Sequence, residues 1–287
     1  MKRLLLFISI SLTFNAIADY SNHEDSWEVI DELVNVHGFE ESFVNEVLKN
    51  AKKRNEMLVS VANPAEKTKT WDEYKAIFLE KKRIVNGKKF IKENIKTLER
   101  AEKEFGVPKE VITAILGVET RYGSIMGRYR VIDSLTTLGF DDPRRSKFFR
   151  SELIQFFLLT RENNLDILET KGSYAGAMGY GQFISSSYRA YAIDYDGDQY
   201  ADLFNSVEDA IGSIANYLKV HGWKKDGNIV TRVYPNNVRK FYKPHESLTR
   251  FLPLTFDENG DELHFIADDN FYAIARYNIS DVYAMAV

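Results

Sequence analysis

The stretch VPKEVITAILGVETRYG, residues 107–123, decides how the chain is read. Ile112, Ile115, Leu116 and Glu119 recur at i, i+3, i+4 and i+7, the spacing of one helical face, so the stretch predicts a helix with a carboxylate on its apolar stripe. An ionisable group in that position must be paired or protonated, because burial disfavours the charged form. A carboxyl so held can keep its proton near neutral pH and deliver it to a leaving oxygen. The plainer alternative puts Glu119 at the helix end, pairing with Arg121 or Arg128.

The surrounding chain suits a globular protein. It has 287 residues, 44% hydrophobic and 13% aromatic, which excludes a disordered composition. A formal charge of −4 argues against a nucleic-acid partner. There is no cysteine, which removes disulfides, thiolate nucleophiles, thiolate metal sites and a lipid-bearing cysteine together. At the N-terminus Lys2 and Arg3 precede an apolar run from Leu4 to Phe14 and the small-x-small Ala16-Ile17-Ala18. Residues 1–18 therefore read as a secretory signal peptide. The run is short of the roughly 20 residues a membrane span needs, so a soluble, exported mature chain is expected, with no transmembrane segment.

Helical periodicity marks about 20–105, where Val29, Ile30, Leu33 and Val34 and then Phe43, Val44, Val47 and Leu48 share faces. Lysine-rich KKRIVNGKK, 81–89, reads as solvated helix ends or a turn at Asn86-Gly87. A second helical region spans about 106–223, with Pro108 suited to a first turn and SELIQFFLLTREN, 151–163, as its strongest run. Over about 224–287 the runs NIVTRVYP, SLTRFLPLTF and ELHFIADD predict short strands or extended loops. The fold class expected is mainly α with a minor β element.

Three further segments carry potential chemistry. KGSYAGAMGYGQF, 171–183, has glycines at 172, 176, 179 and 181, which let backbone approach a ligand, with Ser173 and Gln182 as hydrogen-bonding groups. It matches neither common phosphate-binding pattern, and taken alone it reads as a flexible connection. DYDGDQYAD, 194–202, places Asp194, Asp196, Asp198 and Asp202 at positions 1, 3, 5 and 9 of a calcium loop, with Tyr200 at position 7 for a carbonyl. Gln199 replaces the usual glycine at position 6, and Asn205 the glutamate at position 12, with Glu208 and Asp209 close behind. The end, FYAIARYNISDVYAMAV, offers tyrosines suited to stacking on a sugar, or simply a packed helix.

In order, GVETRYG, KGSYAGAMGYGQF, DYDGDQYADL, ANYLKVHGW and ARYNISDVYAMAV resemble the lytic murein transglycosylase B family over roughly 25–287. The resemblance implies a lysozyme-like core and cleavage of the β-1,4 bond between N-acetylmuramic acid and N-acetylglucosamine in peptidoglycan, leaving 1,6-anhydromuramyl ends. It implies Glu119 as the single catalytic residue. Ser173, Gln182, Tyr277, Asn278, Tyr283 and Tyr74 become substrate-binding positions. A structural calcium ion falls on Asp194, Asp196, Asp198, Tyr200 and Asp209, and no catalytic cofactor is expected. Family members often carry Trp where this chain has Tyr122. The partners implied are glycan strands of peptidoglycan, in the periplasm, and proteins of cell-wall synthesis or remodelling. A lysozyme-type hydrolase and an inactive peptidoglycan-binding scaffold are the alternatives.

Hydrolysis of a glycoside ordinarily uses two carboxylates. The ones that follow Glu119 most closely in sequence are Asp133, Asp141 and Asp142, none visibly paired with it. Ring closure by the sugar's own C6 hydroxyl removes the need for a second, because the attacking group is already attached.

Overall fold

The computed structural model describes residues 19–63, 68–234, 252–258 and 260–287. The leader expected over 1–18 lies outside them, as does the start of SLTRFLPLTF.

The N-terminal part is a series of short helices: α1 (Ser26–Asp31), a π-turn (Glu32–Val36), α2 (Glu41–Asn50) and α3 (Asn55–Ala62). Helix α4 (Trp71–Phe78) starts on a capping box in which Thr70 and Glu73 satisfy each other's backbone N–H groups. Next come α5 (Lys81–Glu93) and α6 (Ile95–Phe105), the latter closed by Gly106 at φ 73°. Of the two readings of KKRIVNGKK the helical one holds, since α5 runs through Asn86-Gly87 without a turn. A glycine inside a helix costs about 1 kcal/mol relative to alanine. Here it is kept because Gly87 is buried against the phenol of Tyr122, where an added Cβ would lie 2.6 Å from Oη.

Helix α7 (Lys109–Thr120) is the predicted one. Pro108 caps it from outside the first turn, and Val111, Ile112, Ile115 and Leu116 are all buried. Helix α8 (Val131–Asp141) is buried from Val131 through Phe140, and α9 (Ser146–Glu162) packs along it. Because α8 is inside on all sides, its polar groups need partners. Asp133 accepts from Lys52 N and Arg130, Thr137 accepts from Arg54 N, and Asp141 accepts from Tyr20 Oη at 2.6 Å. These bonds stitch the N-terminal helices to the core. They also occupy Asp133 and Asp141, while Asp142 pairs with Arg144, so the first three carboxylates that follow Glu119 in sequence have structural work.

Short strands β1 (Tyr129–Arg130) and β2 (Lys171–Gly172) pair antiparallel and fasten the loop after α7 to the glycine-rich segment. After α10 (Ser185–Tyr191) and α11 (Val207–Val220) comes the minor β element: β3 (Val230–Val233), β4 (Leu252–Glu258) and β5 (Asp261–Ala267), antiparallel in the order β3-β5-β4. Phe256 of this sheet packs on Trp71 with ring centroids 5.2 Å apart, holding α4 in place. The chain ends in α12 (Asp269–Asn278) and α13 (Asp281–Ala286), broken at Ile279, whose φ is 44°. The tyrosine-rich tail is thus two packed helices, and the second lies against α4.

Candidate active site

The C-terminal turn of α7 sets the site. Arg121, Tyr122 and Gly123 follow Glu119 with φ of 52°, 61° and 82°, three left-handed residues in a row, two of them not glycine. Such residues are uncommon and must be held by surroundings. The hold comes from Tyr122, whose Oη donates to Arg83 O at 2.9 Å and whose ring stacks on Phe90. Glycines on both facing helices, Gly87 and Gly117, admit that ring. The reversal leaves Glu119 half-buried at the helix end.

Three segments distant in sequence then close a circuit around Glu119. Tyr283 Oη, from α13, donates to Glu119 Oε1 at 2.6 Å. Thr120 Oγ1 donates to Tyr180 O at 2.9 Å, tying the helix end to the glycine-rich segment. Tyr277 Oη, from α12, donates to Gly181 O at 2.7 Å. Gly181 is needed here, since a Cβ would sit 2.9 Å from that same phenol oxygen. The rings of Tyr277 and Tyr283 lie parallel within 9°, their centroids 6.3 Å apart, which completes the loop. Burial, and next the charge of Glu119, push both phenols well above the ordinary tyrosine pKa, so they stay protonated donors.

The alternative pairings of Glu119 find other uses. Arg121 sits 3.4 Å from Glu80, and Arg128 lies over the ring of Tyr129 while donating to its hydroxyl.

The other expected positions divide. Ser173 Oγ accepts from the N–H groups of Ala175 and Ala177, which fixes its turn and leaves the hydroxyl proton as the group it can offer. Gln182, at φ 50°, donates from Nε2 to Met126 O and Gly179 O, clamping the loop after α7. Asn278 is exposed at the end of α12. Tyr74 has no surface open to solvent, and Tyr283 is 1% exposed, so their geometry differs from that of sugar-stacking residues. Tyr283 donates to Glu119, and Tyr74 stacks at a tilt on Phe78 of its own helix. The glycine-rich segment is a close-packed scaffold, not a flexible connection. Sequence reading missed Thr120, Gly87, Gly117 and Tyr217. The last stacks edge-on against Tyr277 at 4.8 Å and donates to Arg276 O.

In the acidic loop, Asp194, Asp196 and Asp209 each present an oxygen, all within 4.8 Å of one another. Asp198 and Asp202 stay outside this close group of oxygens; Asp198 Oδ1 accepts from Tyr200 N, and Asp202 accepts from Phe204 N and Asn205. Gln199 takes φ 82°, doing what glycine ordinarily does at position 6. Of the two candidates for the last acidic ligand, the buried Asp209 is the one turned inward. Burial raises its pKa, opposed by N–H bonds from Tyr195, Asp202 and Asp196, with the charge of Asp196 raising it again. An all-oxygen set with like charges gathered this closely fits a hard divalent cation.

Residues 22–287 match the transglycosylase SLT domain family. The chain belongs to that family. It is 38% identical to the membrane-bound lytic murein transglycosylase B of Escherichia coli (strain K12), across 94% of this chain and 82% of that one. Its fold matches the soluble lytic transglycosylase SltB1 of Pseudomonas aeruginosa with a TM-score of 0.82 at 39% identity, covering 90% and 94% of the two chains. It matches Escherichia coli lytic transglycosylase Slt35 in complex with calcium with a TM-score of 0.82 at 37% identity, covering 93% and 91%. The mainly helical architecture with small sheets is that of the lysozyme-like lytic transglycosylases.

Proposed function

We propose that the protein is a lytic murein transglycosylase, cleaving the β-1,4 bond between N-acetylmuramic acid and N-acetylglucosamine and leaving 1,6-anhydromuramyl ends. The observation that carries this reading is the phenol–carboxyl pair of Tyr283 and Glu119, set inside the circuit formed by Thr120, Gly181 and Tyr277.

The pair gives Glu119 two inequivalent oxygens. Oε1 accepts from Tyr283, so in the acid form the proton belongs on Oε2. From there it passes to the glycosidic oxygen as the C1–O bond breaks, and the N-acetyl group of the sugar stabilises the cation that develops. The resulting carboxylate, still held by Tyr283, takes the proton of the C6 hydroxyl as that oxygen closes on C1. One residue acts first as acid and then as base, and the tethered nucleophile supplies the effective concentration that a positioned water would lack. The hydroxyl of Ser173 and the amide of Asn278 orient the N-acetyl group and the C6 arm.

The acidic loop serves as a calcium site through Asp194, Asp196 and Asp209, with a stabilising role. The mature chain begins near Asp19 and works in the periplasm on glycan strands. The helical part of about 20–105, the core of about 106–223 and the part from about 224 onward form one catalytic region. Among the described residues no helix is long and apolar enough to cross a membrane.

The test is digestion of purified peptidoglycan with the protein and with Glu119→Gln, followed by mass analysis of the muropeptides. Anhydro ends that disappear with the substitution are expected. Hydrated ends would favour a lysozyme-type hydrolase, and no cleavage by either protein would leave a binding scaffold.

A further inference from the structure

Helix α5, KKRIVNGKKFIKE, carries five lysines, and every one of them is exposed. Its inner face is defined by the buried Arg83, Gly87 and Phe90. At 3.6 residues per turn, Lys81, Val85, Lys88 and Lys92 fall on the opposite pole, flanked by Ile84, Lys82 and Lys89. Within the helix the only opposing charge is Glu93, 3.6 Å from Lys89. Val85 is 55% exposed and Ile84 48%, and Leu79, just before the helix, is 47% exposed. A chain with a net charge of −4 thus presents one strongly positive helical face studded with aliphatic side chains.

We infer that this face is a docking surface for an anionic phospholipid bilayer. Charge complementarity names the headgroups, since clustered lysines beside a bilayer are drawn to its negative surface potential. The aliphatic residues decide between lipid and other polyanions. A carboxylated wall polymer gives the lysines partners but offers Val85 and Ile84 nothing, whereas the boundary between headgroups and acyl chains receives both kinds of side chain. The docking pole is opposite Gly87, the residue that packs on Tyr122, so a bilayer there leaves the turn carrying Glu119 uncovered.

The experiment is co-sedimentation of the chain from Asp19 onward, which omits the apolar leader, with vesicles of phosphatidylglycerol in phosphatidylcholine and with vesicles of phosphatidylcholine alone. Binding to the anionic vesicles only, weakening as salt is raised, is expected. At about fivefold per lysine, the triple variant Lys81→Gln/Lys88→Gln/Lys92→Gln should bind roughly a hundredfold more weakly. Its thermal melt and its activity on soluble glycan should be unchanged. Val85→Ser should weaken vesicle binding severalfold with the lysines intact. Equal binding to both vesicles, or a triple variant that binds like the parent, overturns the inference. So does a lysine-dependent affinity for purified peptidoglycan with none for vesicles, which would assign the face to the wall polymer.

Discussion

Gly87 and Gly117 face the same phenol from two helices, and their distances to it differ in a way that a double substitution can read. An alanine Cβ at 87 would meet Tyr122 Oη at 2.6 Å and Cζ at 3.3 Å. At 117 it would meet Oη at 2.6 Å, Cζ at 2.8 Å and Cε1 at 3.0 Å. Tyr122→Phe deletes only Oη. The nearest atom is then 3.3 Å away at 87, which a small adjustment accommodates, but still 2.8 Å away at 117, which it does not. Overpacking costs about 1–3 kcal/mol, while alanine in a helix gains about 1 kcal/mol over glycine. Gly87→Ala should therefore lose about 0–2 kcal/mol, and Tyr122→Phe about 1 kcal/mol for the lost hydrogen bond to Arg83 O. In Gly87→Ala/Tyr122→Phe the clash disappears and the helix gain remains, so the double variant should be more stable than Tyr122→Phe and at least as stable as Gly87→Ala. That is a favourable coupling of at least about 1 kcal/mol. Gly117→Ala should stay destabilised in both backgrounds. It should also lose about a hundredfold in turnover, because a displacement of about 1 Å at Glu119, two residues along, misplaces the proton donor. Urea midpoints and muropeptide release measure the two effects. Additive losses at position 87, or equal rescue at both positions, would refute the claim that this notch sets the turn behind Glu119.

Tyr283→Phe keeps the ring and removes the donor to Glu119, which should lower kcat about tenfold to a hundredfold with little change in KM; an unchanged kcat counts against the assignment. If the acidic loop binds calcium at about a hundred times its dissociation constant, a chelator should cost about 2.7 kcal/mol, read as a fall in melting temperature of roughly 5–10 °C. Asp209→Asn should abolish that response, and a chelator-insensitive melt would remove the calcium assignment. Burial, then neighbouring Tyr191, pushes Tyr217 up to about 12. Its protonated phenol contributes stability that is full below pH 10 and is lost as pH rises from about 10 toward 12, as the unfolded chain ionises first. Absorbance titration should show Tyr217 and the still more perturbed Tyr277 and Tyr283 ionising only with unfolding, and normal titration of all the tyrosines would contradict their burial.

Periodicity was enough to find α7, because Ile112, Ile115 and Leu116 obey a local 3.6-residue rule and end at one misplaced carboxylate. It could not say what that carboxylate meets. Tyr283 lies 164 positions away, and a phenol–carboxyl pair leaves no spacing signal in either segment. The same limit explains Asn86-Gly87. Asn-Gly is a sound local turn signal, but the glycine answers to Tyr122 on another helix. The glycine-rich segment was located correctly, but whether its glycines admit a ligand or a neighbour depends on tertiary contacts such as Tyr277 on Gly181. In the acidic loop the spacing found Asp194 and Asp196. The family resemblance supplied Asp209, and only the fold shows Asp198 left out of the group.

The central claim is that Glu119 completes the reaction by closing the sugar on itself, with no water entering. Digestion of peptidoglycan in water enriched in heavy oxygen tests it directly. New muramyl ends should carry no label and be lighter by one water molecule than hydrolysed ends. Heavy oxygen at C1 of those ends would contradict the account.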